Sequence, residues 1–411
     1  MKNVLEVFEE RGFLEQVTDY DQVRELLESP TTCYIGFDPT ARSLHVGSLL
    51  PIMSLVHMQE GGHRPIVVVG GGTALVGDPS GKTESRPVMT REDIDRNAEF
   101  IKKQLARFLD FEGGRALMVN NADWLTKLNY IEFLRDIGRH FSVNRMLAAE
   151  SYKARLETGL SFIEFNYMLL QAYDFWYLFK HYDCRIQMGG NDQWGNILAG
   201  AHLIKRLEGE TVHGITFPLL TTSSGVKMGK THKGAIWLDP ELTSPYEYYQ
   251  YWINQDDRDV ERFLALFTLL PMDEVRRLGS LKGEEIREAK KVLAYEATKI
   301  CHGEEEAKKA QEASARLFYG AGKEDDSDTV PTYQIQKAEL EGGLPAYVLF
   351  EKAGLCKSRG EARRLISQGG GYVNGKRLEA FDQPITLEFV YDSGALLLRA
   401  GKKRYVKVRV L

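Results

Sequence analysis

His45-Val-Gly47-Ser48 lies between one apolar run and the start of another, Leu49–Gln59. An imidazole at the entry to a helix can donate to a phosphate oxygen. The helix start adds unpaired N–H groups and the positive end of the dipole. Gly47 leaves room for a flat ring against the backbone, and Pro51 is tolerated only if the helix begins close by. A histidine closing a turn is the bland explanation of the same residues. Far downstream, Lys227-Met-Gly-Lys230-Thr231 follows Ser223-Ser-Gly225. Two lysines three residues apart beside glycine can close over a polyphosphate and stabilise its charge as it departs. Here the bland explanation is a solvated surface turn. A third constellation is Tyr167, Gln171 and Asp174, spaced i, i+4 and i+7 on one face of a helix. Three polar groups on a face otherwise expected to be apolar imply a ligand.

These residues need a scaffold, and the chain spells one out. Thr31–Phe37 and Pro65–Val69 read as strands, with the helix Leu49–Gln59 between them. Continuous β-branched runs mean strands buried on both faces, as in a parallel sheet sandwiched by helices. The strand–helix alternation predicts a Rossmann-like, doubly wound α/β domain. Glycines cluster at the expected strand ends, Gly70-Gly71-Gly72 and Gly189-Gly190, where such sheets bind ligands. After Trp237 the pattern turns helical. Ser244-Pro245 reads as a helix start, and Arg258–Leu270, Gly283–His302 and Glu304–Phe318 read as amphipathic helices. Glu324–Pro331 reads as a linker. Beyond it, Lys357–Gln368 reads as a helix and Val373-Asn-Gly-Lys376 as a hairpin. The expected domains are 1–238 catalytic, 239–320 α-helical, 321–341 linker and 342–411 a small α+β module.

The 411 residues carry a formal net charge of −5, with 43% hydrophobic and 27% charged residues, which excludes wholesale disorder. No stretch reaches the roughly 18 uninterrupted apolar residues of a membrane span, and the acidic N-terminus is unlike a secretory signal. The four cysteines are scattered, without a CxxC pair, which fits a reducing cytosol better than a disulfide framework or a zinc knuckle. The charge is unevenly spread. Residues 344–411 hold 13 Lys+Arg against 6 Asp+Glu, and the rest hold 40 against 52. A basic tail on an acidic body suggests a separate module for a polyanion, although a solvated basic face would look the same.

The pair HxGx early and KMGKT late resembles the class I aminoacyl-tRNA synthetases. Gln187-Met-Gly-Gly-Asn-Asp-Gln-Trp-Gly-Asn196, Tyr34-Ile-Gly-Phe-Asp-Pro-Thr40, Gly77-Asp-Pro-Ser-Gly-Lys82 and the segment Phe133–Asn144 narrow this to a likeness to the bacterial tyrosyl-tRNA synthetases over nearly the whole chain. The C-terminal Lys357–Arg364 and Val373–Lys376 resemble an S4-type RNA-binding module. The resemblance implies an enzyme that joins L-tyrosine to ATP, releases pyrophosphate, and transfers tyrosine to the 3′ end of tRNA(Tyr). It also implies a cytoplasmic homodimer that spans no membrane, with Mg²⁺ accompanying ATP and no tightly bound protein metal.

Residue by residue, the resemblance implies that Tyr34 and Asp174 hold the tyrosine hydroxyl. It sets Tyr167, Gln171 and Asp78 around the ammonium, and Gln193 near the carboxylate and ribose. Gly36, Asp38, Gly47, Ser48, Gly190 and Asp192 would border ATP, and Thr40 and His45 would meet the γ-phosphate. Lys82, Arg86, Lys227, Lys230 and Thr231 would clamp the leaving pyrophosphate. Lys357, Arg359, Arg363, Arg364, Lys376, Lys402, Lys403 and Arg404 would contact RNA. A carboxylate nucleophile needs no deprotonation, so catalysis would be positioning and charge stabilisation. Two positions depart from the family: Ser48 replaces the last histidine of the HIGH motif, and Ile35 stands where cysteine is common. Cys33, His140 and Trp194 read as structural. A small-molecule nucleotidylyltransferase would not need the helical block or the basic tail. A tryptophanyl-tRNA synthetase would lack the hydroxyl-binding pair, and a non-enzymatic RNA-binding protein would not need the lysine loop.

Overall fold

The computed structural model describes residues 2–80, 89–149, 152, 156–157, 159–223, 225, 228–231, 234–319, 330–391, 393–401 and 404–411, with the backbone alone at 230, 231 and 317–319. The chain divides into two compact units: Met1–Asp239 with Asp256–Ser280, and Pro240–Gln255 with Leu281–Leu411.

The first unit is built on six strands: β1 (Gln16–Val17), β2 (Thr32–Phe37), β3 (Arg64–Val69), β4 (Leu117–Asn120), β5 (Cys184–Gly190) and β6 (His213–Phe217), in the order β1-β6-β5-β2-β3-β4. Strands β2 to β6 are parallel, and β1 pairs antiparallel with β6. Pro65 to Val69 are all buried, as strands covered by helices on both faces require. From β2 the chain proceeds outward through β3 to β4. It then returns to β5 on the other side of β2, so the winding direction reverses between β2 and β5. That reversal opens a crevice at the C-terminal strand ends, where Asp38, Gly70–Gly72 and Gly189–Gly190 lie. The helix Leu49–Glu60 buries nine of its residues, including Ile52, Met53 and Leu55, against the sheet's side of the unit. The long helix Phe162–Tyr182 opens with a capping box of Ser161 and Glu164 and closes at Asp183 in the left-handed region. It packs along the helix Trp194–Glu208.

Arg258–Leu270 was expected as one helix within a continuous helical block. It is instead a short 3-10 turn followed by the helix Val260–Phe267, and it belongs to the first unit. The buried Arg11 ties this helix to the first unit. Its guanidinium donates to the carbonyls of Ala265 (2.8 Å), Thr268 (3.0 Å) and Leu270, satisfying the open C-terminal end of that helix. A short hairpin of β7 (Lys230–Thr231) and β8 (Gly234–Ala235) completes the unit.

In the second unit, the helices Pro245–Ile253, Ile286–His302 and Glu304–Tyr319 pack together. Ser244 and Glu247 form a capping box, with Pro245 at the first helical position. The remaining strands are β9 (Thr332–Ile335), β10 (Leu344–Pro345), β11 (Gly371–Val373), β12 (Lys376–Arg377), β13 (Pro384–Ile385), β14 (Ala395–Ala400) and β15 (Arg404–Val410). Five of them form a sheet in the order β12-β11-β14-β15-β9. The Asn374-Gly375 turn joins β11 to β12 as its sequence predicts. Residues 321–329 of the expected linker 321–341 lie outside the described residues. Its end does not behave as linker: Thr332–Ile335 pairs in parallel with Lys407–Val410. The strand's partner is the far end of the chain, so no local sequence signal announces it.

Candidate active site

Two hydrogen-bonded networks gather the expected tyrosine- and ATP-site residues in the first unit. The first begins at the C-terminal end of β2. Asp38 accepts from the Tyr167 hydroxyl (3.2 Å) and from Thr73 Oγ1 (2.9 Å). Thr73 Oγ1 in turn accepts from Asn121 Nδ2 at 3.0 Å, and the same amide donates to Asp174 Oδ2 at 2.9 Å. Trp124 Nε1 donates to the other Asp174 oxygen at 2.7 Å. Trp124 is fixed by stacking on Tyr177, ring centroids 4.3 Å apart. Asp174 is 3% exposed, and burial pushes its carboxyl up to about 7 against the two donated hydrogen bonds. Tyr34 tilts against Phe175, and its buried hydroxyl makes no hydrogen bond among the described residues. Burial, and secondarily the Asp174 charge, raises its pKa well above the ordinary phenol value. An unpaired buried hydroxyl is costly, and this one lies near enough to Asp174 to feel its charge.

The second network sits where β5 ends. Gln193 Nε2 donates to Asp78 Oδ2 (2.8 Å) and to Asp192 Oδ2 (3.1 Å), and Gln193 Oε1 accepts from Gln171 Nε2 (3.2 Å). Asn196 Nδ2 lies 3.0 Å from Gln171 Oε1, 3.1 Å from Gln193 Oε1 and 3.2 Å from Ser80 Oγ. Burial lifts the Asp78 carboxyl to about 6, opposed by the Ser80 amide. The buried Asp78 carboxylate, with amides fixed beside it, suits an ammonium, whose charge would favour its ionised form. Gly36 is exposed one residue before the end of an otherwise buried β2, and a Cβ there would meet nothing within 4 Å. Its surface is free to border a ligand. Gly190 faces the Asp192 carboxylate.

The HxGx and KMGKT segments meet. The His45 Nδ1 accepts from the Gly47 N–H at 2.9 Å, which leaves Nε2 to carry the neutral ring's proton. A Cβ on Gly47 would lie 2.7 Å from His45 Cε1, so the ring lying on this glycine is the histidine's own. Gly229 has φ +80°, and a Cβ there would lie 3.0 Å from Gly47 N, so both geometry and space require glycine. The bonds Val46 N to Ile236 O (2.9 Å) and Leu238 N to Leu44 O (2.9 Å) tie the two segments. Ser48 starts the helix Leu49–Glu60 without a side-chain cap, and Thr40 is exposed beside Asp38. Lys82, Arg86 and Lys227 lie outside the described residues. Lys230 and Thr231 are placed by backbone in β7.

In the second unit, Lys357, Arg359, Arg364 and Lys376 are exposed, and Arg359 pairs with Glu351 at 3.3 Å. Arg363 lies over the Tyr347 ring at 4.2 Å. Arg404 is half-buried and donates to the Leu355 carbonyl at 2.7 Å, which spends part of its guanidinium on the fold. Lys402 and Lys403 lie outside the described residues.

Reasoning from sequence missed Thr73, Asn121, Trp124 and Asn196, which orient the expected residues. Asn121-Ala-Asp-Trp124 directly follows β4, and a search of strand ends finds it. Gln187 was also missed. It is the register partner of Tyr34, buried, with its Oε1 unpaired among the described residues.

The crevice, the HxGx–KMGKT contact and the strand order define a class I aminoacyl-tRNA synthetase. A family model described as "tRNA synthetases class I (W and Y)" matches residues 26–319, and one described as "Tyrosine--tRNA ligase SYY-like C-terminal domain" matches residues 324–408. The tyrosine–tRNA ligase of Syntrophus aciditrophicus is 61% identical over 100% of this chain and 99% of its own length. That of Caldanaerobacter subterraneus is 59% identical over 99% of each. A C-terminally truncated mitochondrial tyrosyl-tRNA synthetase of Aspergillus nidulans superposes with a TM-score of 0.70 at 34% identity, over 77% of this chain and 95% of that one. The chain belongs to the class I tRNA synthetases of the W and Y family. Within it, the chain stands among the tyrosine–tRNA ligases. Among the described residues, no helix is long and apolar enough to cross a membrane.

Proposed function

We propose that the first unit activates L-tyrosine with ATP at this crevice and that the second unit engages tRNA(Tyr). The observation that carries the residue assignment is the buried, unpaired Tyr34 hydroxyl in the same pocket as Asp174. The substrate hydroxyl pairs with both. Its ammonium sits among Asp78, Gln171 and Tyr167, and Gln193 borders its carboxylate and the ribose. One carboxylate oxygen attacks the α-phosphorus. A P–O bond forms, the bond to the β-phosphate oxygen breaks, and pyrophosphate departs with the electron pair. Gly36, Asp38, Gly47, Ser48, Gly190 and Asp192 border ATP. The His45 Nε2–H and Thr40 meet the γ-phosphate, and Lys82, Arg86, Lys227, Lys230 and Thr231 neutralise the leaving group. The tRNA 3′-terminal hydroxyl then attacks the tyrosyl carbonyl and releases AMP.

Among the described residues, no three His, Cys, Asp or Glu converge as a metal-binding group. Mg²⁺ enters with the ATP phosphates as part of the substrate. Lys357, Arg359, Arg363, Arg364, Lys376, Lys402, Lys403 and Arg404 supply the S4-type RNA face. Phe162 is 70% exposed and Ile131 69%, and Tyr130, Val143 and Ile163 are exposed with them, on helices packed around one small core. Apolar exposure of this kind supports a homodimer through this face, working in the cytoplasm. Tyrosine-dependent ATP–pyrophosphate exchange tests the reading, and no exchange with tyrosine overturns it.

A further inference from the structure

The lysine segment has two roots, and among the described residues Met228 and Gly229 lie against the HxGx turn. On the return side, Gly229 lies against Gly47 and its carbonyl accepts from Ile236 N at 3.0 Å. On the outbound side the chain is held by a residue from the 3-10 turn that leads into a distant helix. Asp259, 3% exposed, accepts from the Ser223 N–H (2.9 and 3.1 Å to its two oxygens) and from the Ser223 hydroxyl (2.9 Å). Arg262, one turn further along, pairs with Asp259 at 3.2 Å and also donates to the Thr221 carbonyl. The neck between the roots is closed by Met228 N donating to Leu220 O at 3.1 Å. A buried carboxylate that spends its bonds on one exposed loop residue is an expensive way to hold a surface turn. It makes sense where the loop's position matters.

We propose that Asp259 is a positioning residue for adenylate formation. It fixes the outbound root of the Lys227–Thr231 segment through Ser223, with Arg262 orienting the carboxylate and holding Thr221. The inference rests on the reading that Lys230 acts on the departing pyrophosphate. Asp259 contacts neither substrate. With Arg262 it fixes Thr221 and Ser223, from which the chain runs on to Met228 and Gly229 beside Gly47, and the placement of this segment matters in the transition state, when negative charge builds on the leaving group. Its loss therefore changes the rate of activation and leaves tyrosine binding unaltered.

The test uses the full chain and compares wild type, Asp259→Ala, Asp259→Asn, Ser223→Ala and Lys230→Ala. The rate of tyrosyl-adenylate formation at saturating tyrosine and ATP is measured beside the equilibrium affinity for tyrosine. Asp259→Ala is expected to slow the rate on the order of tenfold or more with tyrosine affinity unchanged. Asp259→Asn recovers most of the rate, because an amide can accept from the Ser223 N–H and donate to its hydroxyl. Ser223→Ala, which leaves the helix untouched, costs about two- to tenfold in the same rate, and it carries the test if Asp259→Ala does not fold. An unchanged rate in Asp259→Ala and Ser223→Ala, or rate and affinity falling together without rescue by asparagine, overturns the proposal. A Lys230→Ala enzyme that forms adenylate at the wild-type rate removes the underlying reading instead, so the two failures are distinguishable.

Discussion

Replacing Tyr34 by phenylalanine pulls stability and selectivity in opposite directions. In the free protein the hydroxyl is buried and makes no hydrogen bond among the described residues. Removing an unsatisfied buried polar group recovers a desolvation penalty of about 1–3 kcal/mol. Tyr34→Phe leaves the ring and its contact with Phe175, 5.5 Å between centroids, in place. The unliganded variant is therefore expected to be more stable than wild type by about 1 kcal/mol, seen as a higher urea midpoint with an unchanged slope. Substrate binding moves the other way. Tyrosine loses one partner for its hydroxyl, worth about 0.5–1.5 kcal/mol, so its affinity falls about two- to tenfold. Phenylalanine strands one polar group fewer in the variant than in wild type. The ratio of kcat/KM for tyrosine over phenylalanine therefore falls by about tenfold, at 1.4 kcal/mol per decade, while the KM for ATP stays put. Pyrophosphate exchange with each amino acid reads the ratio. A variant less stable than wild type, or one with unchanged selectivity, refutes the assignment of this hydroxyl to the substrate.

Other consequences follow from the same geometry. The Asp174 carboxyl is raised from 3.8 to about 7, so the folded state binds the proton that the unfolded state has already lost. Stability of the unliganded protein therefore falls as pH rises from about 4 to 7, by up to about 4 kcal/mol from this group. Asp174→Asn flattens that part of the urea-midpoint profile, and an unchanged profile contradicts the burial argument. Trp124→Phe deletes the 2.7 Å donor to Asp174. It is expected to weaken tyrosine binding by about tenfold, measured by equilibrium dialysis, with ATP affinity retained. Gly229→Ala meets both a φ of +80° and the Gly47 backbone. It should slow adenylate formation by about tenfold or more in a single-turnover assay, without altering tyrosine affinity. Cutting the chain before Val330 should spare adenylate formation and abolish most tRNA charging. Cutting before Leu344 leaves β9 without its partner β15, so that fragment is expected to be less soluble and more protease-sensitive than the shorter one.

The local elements and the chemistry were legible along the chain. β-branched runs gave β2 and β3 because strands covered on both faces must be continuously apolar. The i, i+4, i+7 spacing put Tyr167, Gln171 and Asp174 on one helical face because the α-helical period is fixed. Asn374-Gly375 specified its turn because few residues tolerate its backbone angles. The resemblance then named the ligand of each group. Only the tertiary structure decided what holds those groups in place. Asp174 is oriented by Asn121 and Trp124 from beyond β4. Asp259 reaches Ser223 from the turn before a helix that the sequence assigned to another block, and Arg11 claims that helix's carbonyls from the other end of the chain. β9 finds its partner at the last strand. Each of these is a pairing between residues far apart in sequence, made because a buried donor or acceptor must be satisfied by whatever the fold brings near. Periodicity and propensity describe neighbours along the chain, and they carry no record of which distant group will meet that demand.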